Sequence, residues 1–519
     1  MSAPSSGQTE YDVIIIGSGF GGSMVALQLV NAGKRALMLE RGDWVGRGDH
    51  NWALDGSVDL TPHYSKEIPY HVLAGGASPV MGAYTCVGGP SVFYGAVSLR
   101  LREKDFAAST EIVNGSGAAW PVKYPEFEPY YSQAERLLNI AGEANADPCE
   151  PARSADYPQK SSPLSDTSKM IKIAAESFGL QPFRLPLAIN YSDYKNQRRC
   201  LSCTTCDTFA CAIQAKNDLA TRVIPDLLEK GMDLRSNTIV TSLHHSNKRI
   251  TKVGFFDKTT NEFRKARAKT VILSAGAIAS AHLLLAAKLD QLNPGGKTIG
   301  RYLTRHCNAI AFGFFPKKPN PKNQFHKQLG FHDFYFGHAS IAQPEGKLGS
   351  IQQLQTPPIG LVKGMVPKPL GHLLAQAVPH LTGLLVMAED QPQFKNGVSV
   401  DFGRMDKFGL PQLEITHHYS KRDYAARDAL LSKSGMILKK AGAKIVYNHK
   451  IKTFSHAVGT IRMGNDATTS ALDENCQFRG LDNLFVVDGS FMPTSGGVNP
   501  SLTIGANALR VGKYIARMD

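Results

Sequence analysis

The stretch YDVIIIGSGFGGSMVALQLVNAGKRALMLERG, residues 11–42, constrains the fold more than any other part of the chain. Residues 13–16 are a short apolar, mostly β-branched run, which reads as a buried parallel strand. Gly17, Gly19 and Gly22 follow at once as G-x-G-x-x-G. Residues 23–32 carry helical periodicity, and Gly33 supplies the stop. A second strand over residues 35–39 ends at Glu40, with Arg41 beside it. The physical logic is that Gly17 permits the tight turn, Gly19 lets a pyrophosphate approach the backbone, and Gly22 lets helix and strand pack closely. The N-terminus of this helix offers free N–H groups and a favourable dipole to phosphate oxygens. Glu40 is suited to accept hydrogen bonds from ribose hydroxyls. A dinucleotide site follows, but this unit alone does not choose between NAD and FAD.

At 519 residues the chain exceeds one simple core, so two interlocked domains are expected. Lys plus Arg is 58 against 44 acids, a net charge of +14. There is no dense basic block, helix-turn-helix or zinc-finger spacing, so nucleic acid is not an expected partner and the charge reads as a diffusely basic solvated surface. The opening residues lack a charged n-region, an apolar h-region and a twin-arginine pair, so the expectation is a cytoplasmic protein with reduced thiols. No uncharged apolar run reaches bilayer-spanning length. Residues 359–386, IGLVKGMVPKPLGHLLAQAVPHLTGLLV, mix apolar residues with Lys, His and Pro. They read as a lid or a wall of a substrate domain, with a partner surface or a peripheral membrane contact as alternatives.

Further islands lie downstream. VGGPSVFYGAVSLRLREKDF (87–106) sets Gly88, Gly89, Ser91 and Gly95 in a compact turn. VILSAGAIASAHLLLAAK (271–288) reads as strand, small-residue turn and helix, with Ala275 and Gly276 in the turn. HAVGTIRMG, from His456, leads to NLFVVDGSFMPTSGGVNPSLTIGANALRVGKYIA. In it residues 484–487 read as a buried strand ending at Asp488, and residues 499–510 open a closing helix. This ordered set, with WPVKYPEFEPYYSQAERLL from Trp120, resembles the glucose–methanol–choline (GMC) family of FAD-dependent oxidoreductases. The likeness runs from about residue 11 to the C-terminus, with a poorly matched middle between roughly 310 and 390. VFYGAVSLRLREKDF, PLAIN, CAIQAKNDLA and GGVNPSLTIGANALR look closest to bacterial members that oxidise sugar or aminocyclitol-type alcohols.

The resemblance implies an α/β fold: a discontinuous, Rossmann-like FAD-binding domain from residues 1–110, 225–310 and 450–519. An α+β substrate domain with an antiparallel sheet would use residues 111–224 and 311–449. Residues 397–419, GVSVDFGRMDKFGLPQLEITHHY, add a hairpin signal, two alternating strands flanking DKFG. The resemblance assigns FAD contacts to Gly17, Gly19, Phe20, Gly22, Glu40, Arg41, Gly88, Gly89, Ser91, Val240, Ala275, Gly276, Asp488, Gly489 and Pro500. Near Pro500 a helix N-terminus would put positive dipole charge beside the reduced flavin. Tyr94 stands where many relatives have Asn, a contact often made by backbone. GGPSVFYG lacks the His to which some relatives attach their flavin, so non-covalent FAD is expected.

Alcohol oxidation removes a hydroxyl proton and a hydride from one carbon. Flavin N5 takes the hydride, so a base beside it is needed for the proton, and neutral imidazole has suitable basicity. His456 matches the family's base. Asn499, at a position that is His or Asn in relatives, would fix the substrate oxygen through its amide. His306, ending the G-R-x-L-x-x-H loop, is expected to be structural, near the cofactor or the domain seam. His417 and His418, on an expected strand, read as surface or core. The run RRCLSCTTCDTFACAIQAK carries Cys200, Cys203, Cys206 and Cys211. Free thiols or a disulfide, an iron–sulfur cluster and a structural zinc all remain open, although the spacing departs from that of cluster-bearing relatives and the proline after the last Cys is missing.

The expected activity is thus oxidation of a CH–OH group of a sugar, cyclitol or other polyol, a small-molecule alcohol. The electron acceptor stays open between oxygen and a redox protein or quinone. A lyase-type flavin chemistry on the same fold and a non-catalytic flavoprotein subunit are the alternatives. The His456/Asn499 pair argues against the second, because a scaffold has no use for a base at the flavin.

Overall fold

The opening strand, Glu10–Ile16, lies at the centre of a seven-stranded sheet. Its residues 13–16 are buried, as a strand covered on both faces must be. On one side it pairs in parallel with Ala36–Leu39, which pairs with Asp233–Arg235. On the other it pairs in parallel with the end of the long strand Glu262–Leu273, Ile14 opposite Val271. That strand carries two neighbourhoods. Its first half pairs antiparallel with Arg249–Asp257, which continues to Thr238–Ser246. Its last three residues pair in parallel with Leu484–Val486. The computed structural model describes residues 10–53, 61–107, 109–192, 197–356, 359 and 375–518.

Helices cover this sheet. Phe20–Asn31 follows the glycine turn, starting before the periodic residues because Gly19 itself serves as its N-cap. The closing helix Ser501–Ile515 packs on it. Gly512 permits the approach, since a Cβ there would stand 2.9 Å from Gln28 Cβ. Helix Tyr124–Leu137 packs on the closing helix, with Tyr131 Oη 2.8 Å from Thr503 Oγ1.

A six-stranded antiparallel sheet forms the second layer system, ordered Ile445–Lys450, Cys307–Phe314, Leu381–Ala388, Gly349–Leu354, Leu329–Phe331, Phe183–Arg184. Helix Lys421–Lys440 lays Ala426, Leu430, Ile437 and Leu438 against it, forming a separate apolar cluster. A capping box starts this helix: Ser420 Oγ accepts from Asp423 N at 3.1 Å, and Ser420 N donates to the Asp423 carboxylate at 2.8 Å. The hairpin Gly397–Met405 with Pro411–Thr416 forms as its sequence suggests. It joins Tyr64–Ala74 and Val80–Tyr84 in a four-stranded sheet rather than extending the six-stranded one. Of the stretch read as a lid or wall, residues 360–374 lie outside the described residues, and its end is strand Leu381–Ala388. Among the described residues no helix is long and apolar enough to cross a membrane.

Gly22 tests the tightness of the opening unit, because a Cβ there would lie 1.9 Å from the Gly17 carbonyl oxygen, backbone that has nowhere to go. Gly22→Ala should cost about 3 kcal/mol, in the overpacking range. A thermal melt of the purified variant checks this, and an unchanged melting temperature would show that the turn is looser than described.

Candidate active site

The three parallel strands ending at residues 16, 273 and 486 deliver three turns to one edge of the sheet. Gly17 N donates to Leu39 O at 2.9 Å and Ser274 N to Ile16 O at 2.8 Å, so the first and second turns touch. Gly17 has φ +98°, and its missing Cβ would fall 2.3 Å from Ser274 O. No side chain caps the N-terminus of helix Phe20–Asn31. A Cβ at Gly19 would meet no protein atom within 4 Å, and the same holds at Gly276. Gly17, Gly19, Phe20, Ala275 and Gly276 remain half-buried among fully buried neighbours. Ser274 Oγ is buried there without a partner. Open glycine faces beside an uncapped helix N-terminus suit the phosphates of a dinucleotide.

Ser18, the residue between the first two glycines, ties this cradle together. Its N–H and Oγ–H donate to Glu40 Oε2 at 3.0 and 2.6 Å, and Gly42 N donates to Glu40 Oε1 at 2.9 Å. Ser18 Oγ accepts from Gly88 N at 2.9 Å. Ser91 Oγ donates to Gly88 O at 2.7 Å and accepts from Leu219 N at 3.1 Å. A Cβ on Gly89 would approach Gly19 Cα to 3.1 Å, so the two glycine turns sit against each other. Glu40 O accepts from Thr238 N at 2.8 Å, which brings strand Thr238–Ser246 and the buried Val240 alongside. Arg41 is half-buried next to Glu40. Sequence reasoning passed over Ser18, although its place inside the G-x-G could have marked it.

Asp488 begins the third turn, and its carboxylate is fully committed to protein. Oδ2 accepts from Gly276 N at 3.1 Å and from Ser280 Oγ, while Oδ1 accepts from Ser490 N and Oγ at 2.9 and 2.6 Å. Burial raises its pKa against these donors. The side chain therefore holds the Gly276 and Gly489 turns in place. Gly489 O accepts from Gly459 N at 3.1 Å, Ser490 O from Ile461 N at 3.0 Å and Phe491 O from Met463 N at 2.8 Å. This zipper fixes the loop of His456. Val458 also exchanges backbone hydrogen bonds with Thr304, at 2.9 and 3.1 Å, drawing the His306 loop alongside.

His456 Nδ1 lies 3.1 Å from His306 Nδ1, the rings nearly perpendicular at 82°. His456 is half-buried. Burial, then His306 and the Lys327 charge, push its pKa down to about 3, so the imidazole is neutral at physiological pH. Lys327 is paired with Asp207 at 2.6 Å, and a Cβ on Gly95 would strike both groups. The ion pair thus stands on the GG-x-S turn. His306, expected near the cofactor or the domain seam, lies against the candidate base. His417 is buried, its Nε2 3.4 Å from Asp390, and His418 is exposed.

Asn499 is held from the six-stranded sheet, where Gln352 Nε2 donates to its Oδ1 at 2.9 Å. Pro500 is the N-cap of the closing helix, which no side chain caps. The preceding segment is anchored by buried charge. Gly496 N donates to Glu389 Oε1 at 2.9 Å and Gly497 N to Tyr335 Oη at 2.7 Å. Tyr335 donates to Asp105 at 2.9 Å, and Lys347 bridges Asp105 and Glu389. None of these partners carries a local sequence signal.

All eight cysteines are free, including the four in the run. Burial pushes Cys200 up to about 11 and raises Cys206 well above the usual thiol range, which favours thiol over thiolate. Among the described residues no three His, Cys, Asp or Glu side chains form a metal-binding group. Buried Lys216 straps the run to the GG-x-S turn by donating to the carbonyls of Cys206, Phe209 and Tyr94 at 2.9, 2.7 and 2.9 Å. The run thereby presents Asp207 to Lys327.

Two family models described as GMC oxidoreductase match the chain, an N-terminal one over residues 11–308 and a C-terminal one over residues 392–508. The chain is 28% identical to a paromamine 6'-oxidase of Streptomyces fradiae, over 98% of this chain and 91% of that protein. It is 27% identical to a 6'''-hydroxyparomomycin C oxidase of Streptomyces lividus, over 99% of this chain and 92% of that one. Among solved structures it is similar in fold to pyridoxine 4-oxidase from Mesorbium loti, with a TM-score of 0.70 and 18% identity over 97% of this chain and 99% of the other.

Ser18→Ala removes the hydroxyl that links Glu40 to Gly88. It should weaken retention of the dinucleotide roughly ten-fold, the loss of a charge-assisted hydrogen bond. Titration of the apoprotein with FAD, followed by flavin fluorescence, checks this; unchanged affinity would remove Ser18 from the cradle.

Proposed function

The chain belongs to the GMC oxidoreductase family, an FAD-dependent enzyme acting on CH–OH groups, and from that premise we propose that it oxidises a hydroxyl of a sugar, cyclitol or other polyol with His456 as general base. The observation carrying this reading is His456 itself: a neutral, half-buried imidazole on a loop zipped to the turns of the dinucleotide cradle. Similarity to enzymes named as oxidases of paromamine and hydroxyparomomycin supports a hydroxylated ring as substrate class.

The residues that would hold FAD are the Gly17–Gly22 turn with its uncapped helix, Glu40 and Arg41, Gly88 to Ser91, Val240, Ala275 and Gly276, and the turns of Asp488, Gly489 and Pro500. Bound FAD supplies the hydride acceptor. The protein's own share is binding, orientation and the proton. Asn499, its carbonyl oxygen held by Gln352, has its amide N–H groups available to grip a substrate oxygen. His456 accepts the hydroxyl proton as the C–H bond breaks. The Lys327–Asp207 pair stands near enough for the lysine charge to help keep His456 neutral. Electrons then pass to oxygen or to a redox protein or quinone. FAD is held without a covalent link through the GG-x-S turn, and the cytoplasm is the proposed compartment.

His456→Ala should keep its flavin and lose turnover by about 10³-fold or more. Stopped-flow anaerobic reduction with a panel of sugars, aminocyclitols and simple alcohols measures this, and near-normal reduction would remove His456 from the mechanism. With the pKa of His456 pushed down to about 3, its base form persists as pH falls, so it should give kcat/KM no acidic limb between pH 5 and 8. An acidic limb near 6.5 that disappears in His456→Ala would contradict this. Asn499→Ala should lower kcat/KM by about 10- to 100-fold, for one lost hydrogen bond to the substrate oxygen. Steady-state kinetics with the substrate found in the screen reads it.

A further inference from the structure

His306 is fixed at every polar atom. Its backbone sits at φ +61°, a left-handed conformation that residues other than glycine seldom adopt. Its N–H donates to Asp390 Oδ1 at 3.0 Å, and its carbonyl accepts from Tyr419 Oη at 2.7 Å. Its side-chain Nε2 faces two backbone carbonyls, Gly496 O at 2.9 Å and Ser495 O at 3.3 Å. A carbonyl oxygen only accepts, so the ring proton of His306 is on Nε2. A neutral imidazole has one N–H, which leaves His306 Nδ1 as a bare acceptor. That acceptor lies 3.1 Å from His456 Nδ1. Two bare nitrogens at that distance repel, so His456 carries its proton on Nδ1.

We propose that His306 is a positioning residue that sets the tautomer of His456, pinning its proton on Nδ1 and leaving Nε2 as the atom that takes the substrate hydroxyl proton. The inference rests on the reading of His456 as the base. In the step itself the substrate O–H bond breaks, its electron pair stays on oxygen, and an N–H bond forms at Nε2; His456 Nδ1–H goes on donating to His306. His306 Nδ1 is bare only while His306 is neutral. Burial holds its pKa down and Lys347 adds to that, against Asp390 and the two carbonyls, which act in the other direction. The two carbonyls belong to the segment tied by Glu389 and Tyr335, a few residues before Asn499. One anchored strip therefore sets both the proton on the base and the amide that orients the substrate.

The test compares the wild-type holoenzyme with His306→Phe, which cannot accept from His456, and His306→Asn, whose amide oxygen can. Nitrogen NMR of protein labelled with ¹⁵N-histidine reads the tautomer, and His456→Ala assigns the signal. The wild type should show His456 Nε2 unprotonated, His306→Asn should keep that state, and His306→Phe should show mixed tautomers. In kinetics His306→Phe should lose kcat by about 100-fold or more with KM little changed, while His306→Asn stays within about ten-fold of wild type. A wild-type spectrum with Nδ1 bare, or His306→Phe with an unchanged His456 signal, overturns the proposal. If His306→Phe does not fold, the wild-type spectrum still decides. A dead His456→Ala beside a fully active His306→Phe sinks only the role of His306, whereas an active His456→Ala sinks the base assignment.

Discussion

Strand Glu262–Leu273 is shared between the first and last strands of the chain, and the site exists because of that pairing. Ile14 and Leu484 both lie opposite Val271, one on each side. With all three strands parallel, their carboxyl ends fall at one edge, and the Gly17, Ala275 and Asp488 turns converge there. Ligands of open α/β sheets bind at such an edge. The zipper from Asp488 to residues 459–463 then carries His456 to the same place. Were the strand slipped by one residue, the turns would separate and every side chain would change face.

The second determinant is buried charge used as an anchor. Residues 495–497 have neither helix nor strand to hold them, yet they precede Asn499. Their N–H groups go to Glu389 and Tyr335, their carbonyls to His306, and the Ser495 hydroxyl to Asp390 at 3.1 Å. Such an arrangement is worth little in net stability, because desolvating Lys347, Asp105 and Glu389 consumes most of the Coulombic gain. What it provides is one geometry instead of many, since removing any partner strands a buried charge. Lys216, fixed by three carbonyls without a carboxylate contact, does the same for the cysteine run.

This division explains what could be read from sequence. The strand, glycine turn and helix at residues 10–31 are local, and a 3.6-residue period with glycines at fixed offsets announces them. The helix starts at Phe20 rather than Ser23 because the glycine turn supplies its own cap, and the closing helix starts at Ser501 because Pro500 caps it. His456 and Asn499 were legible as a pair only because their surroundings resemble a family. The His306–His456 contact was not legible, since 150 residues separate the two and the backbone bridge between Thr304 and Val458 that joins them leaves no periodic trace. The Lys327–Asp207 pair is hidden for the same reason. Asp207 lies inside a run whose cysteines invite a metal reading, while its acid faces a lysine 120 residues away. Asp488 shows the opposite difficulty: its position at a strand end is easy to find, but the four donors that occupy its carboxylate are visible only in three dimensions.

In its proposed role as base, His456, with its pKa pushed down so far, is reluctant to take a proton, and this has a physical purpose. Exposed imidazole would be partly protonated near neutrality, and each protonated copy would be idle. Burial and Lys327 keep every copy neutral, at the cost of making the imidazolium unfavourable when it forms. Charge appearing in the right place offsets that cost. Asp390, which accepts from the His306 N–H, adds a field that favours positive charge at His306, next to the base. In the proposed reaction the substrate oxygen gains negative charge as its proton leaves, and that charge favours the imidazolium forming beside it. Such a base works best while the hydroxyl is losing its proton, and stabilisation confined to that moment lowers a barrier instead of tightening ground-state binding.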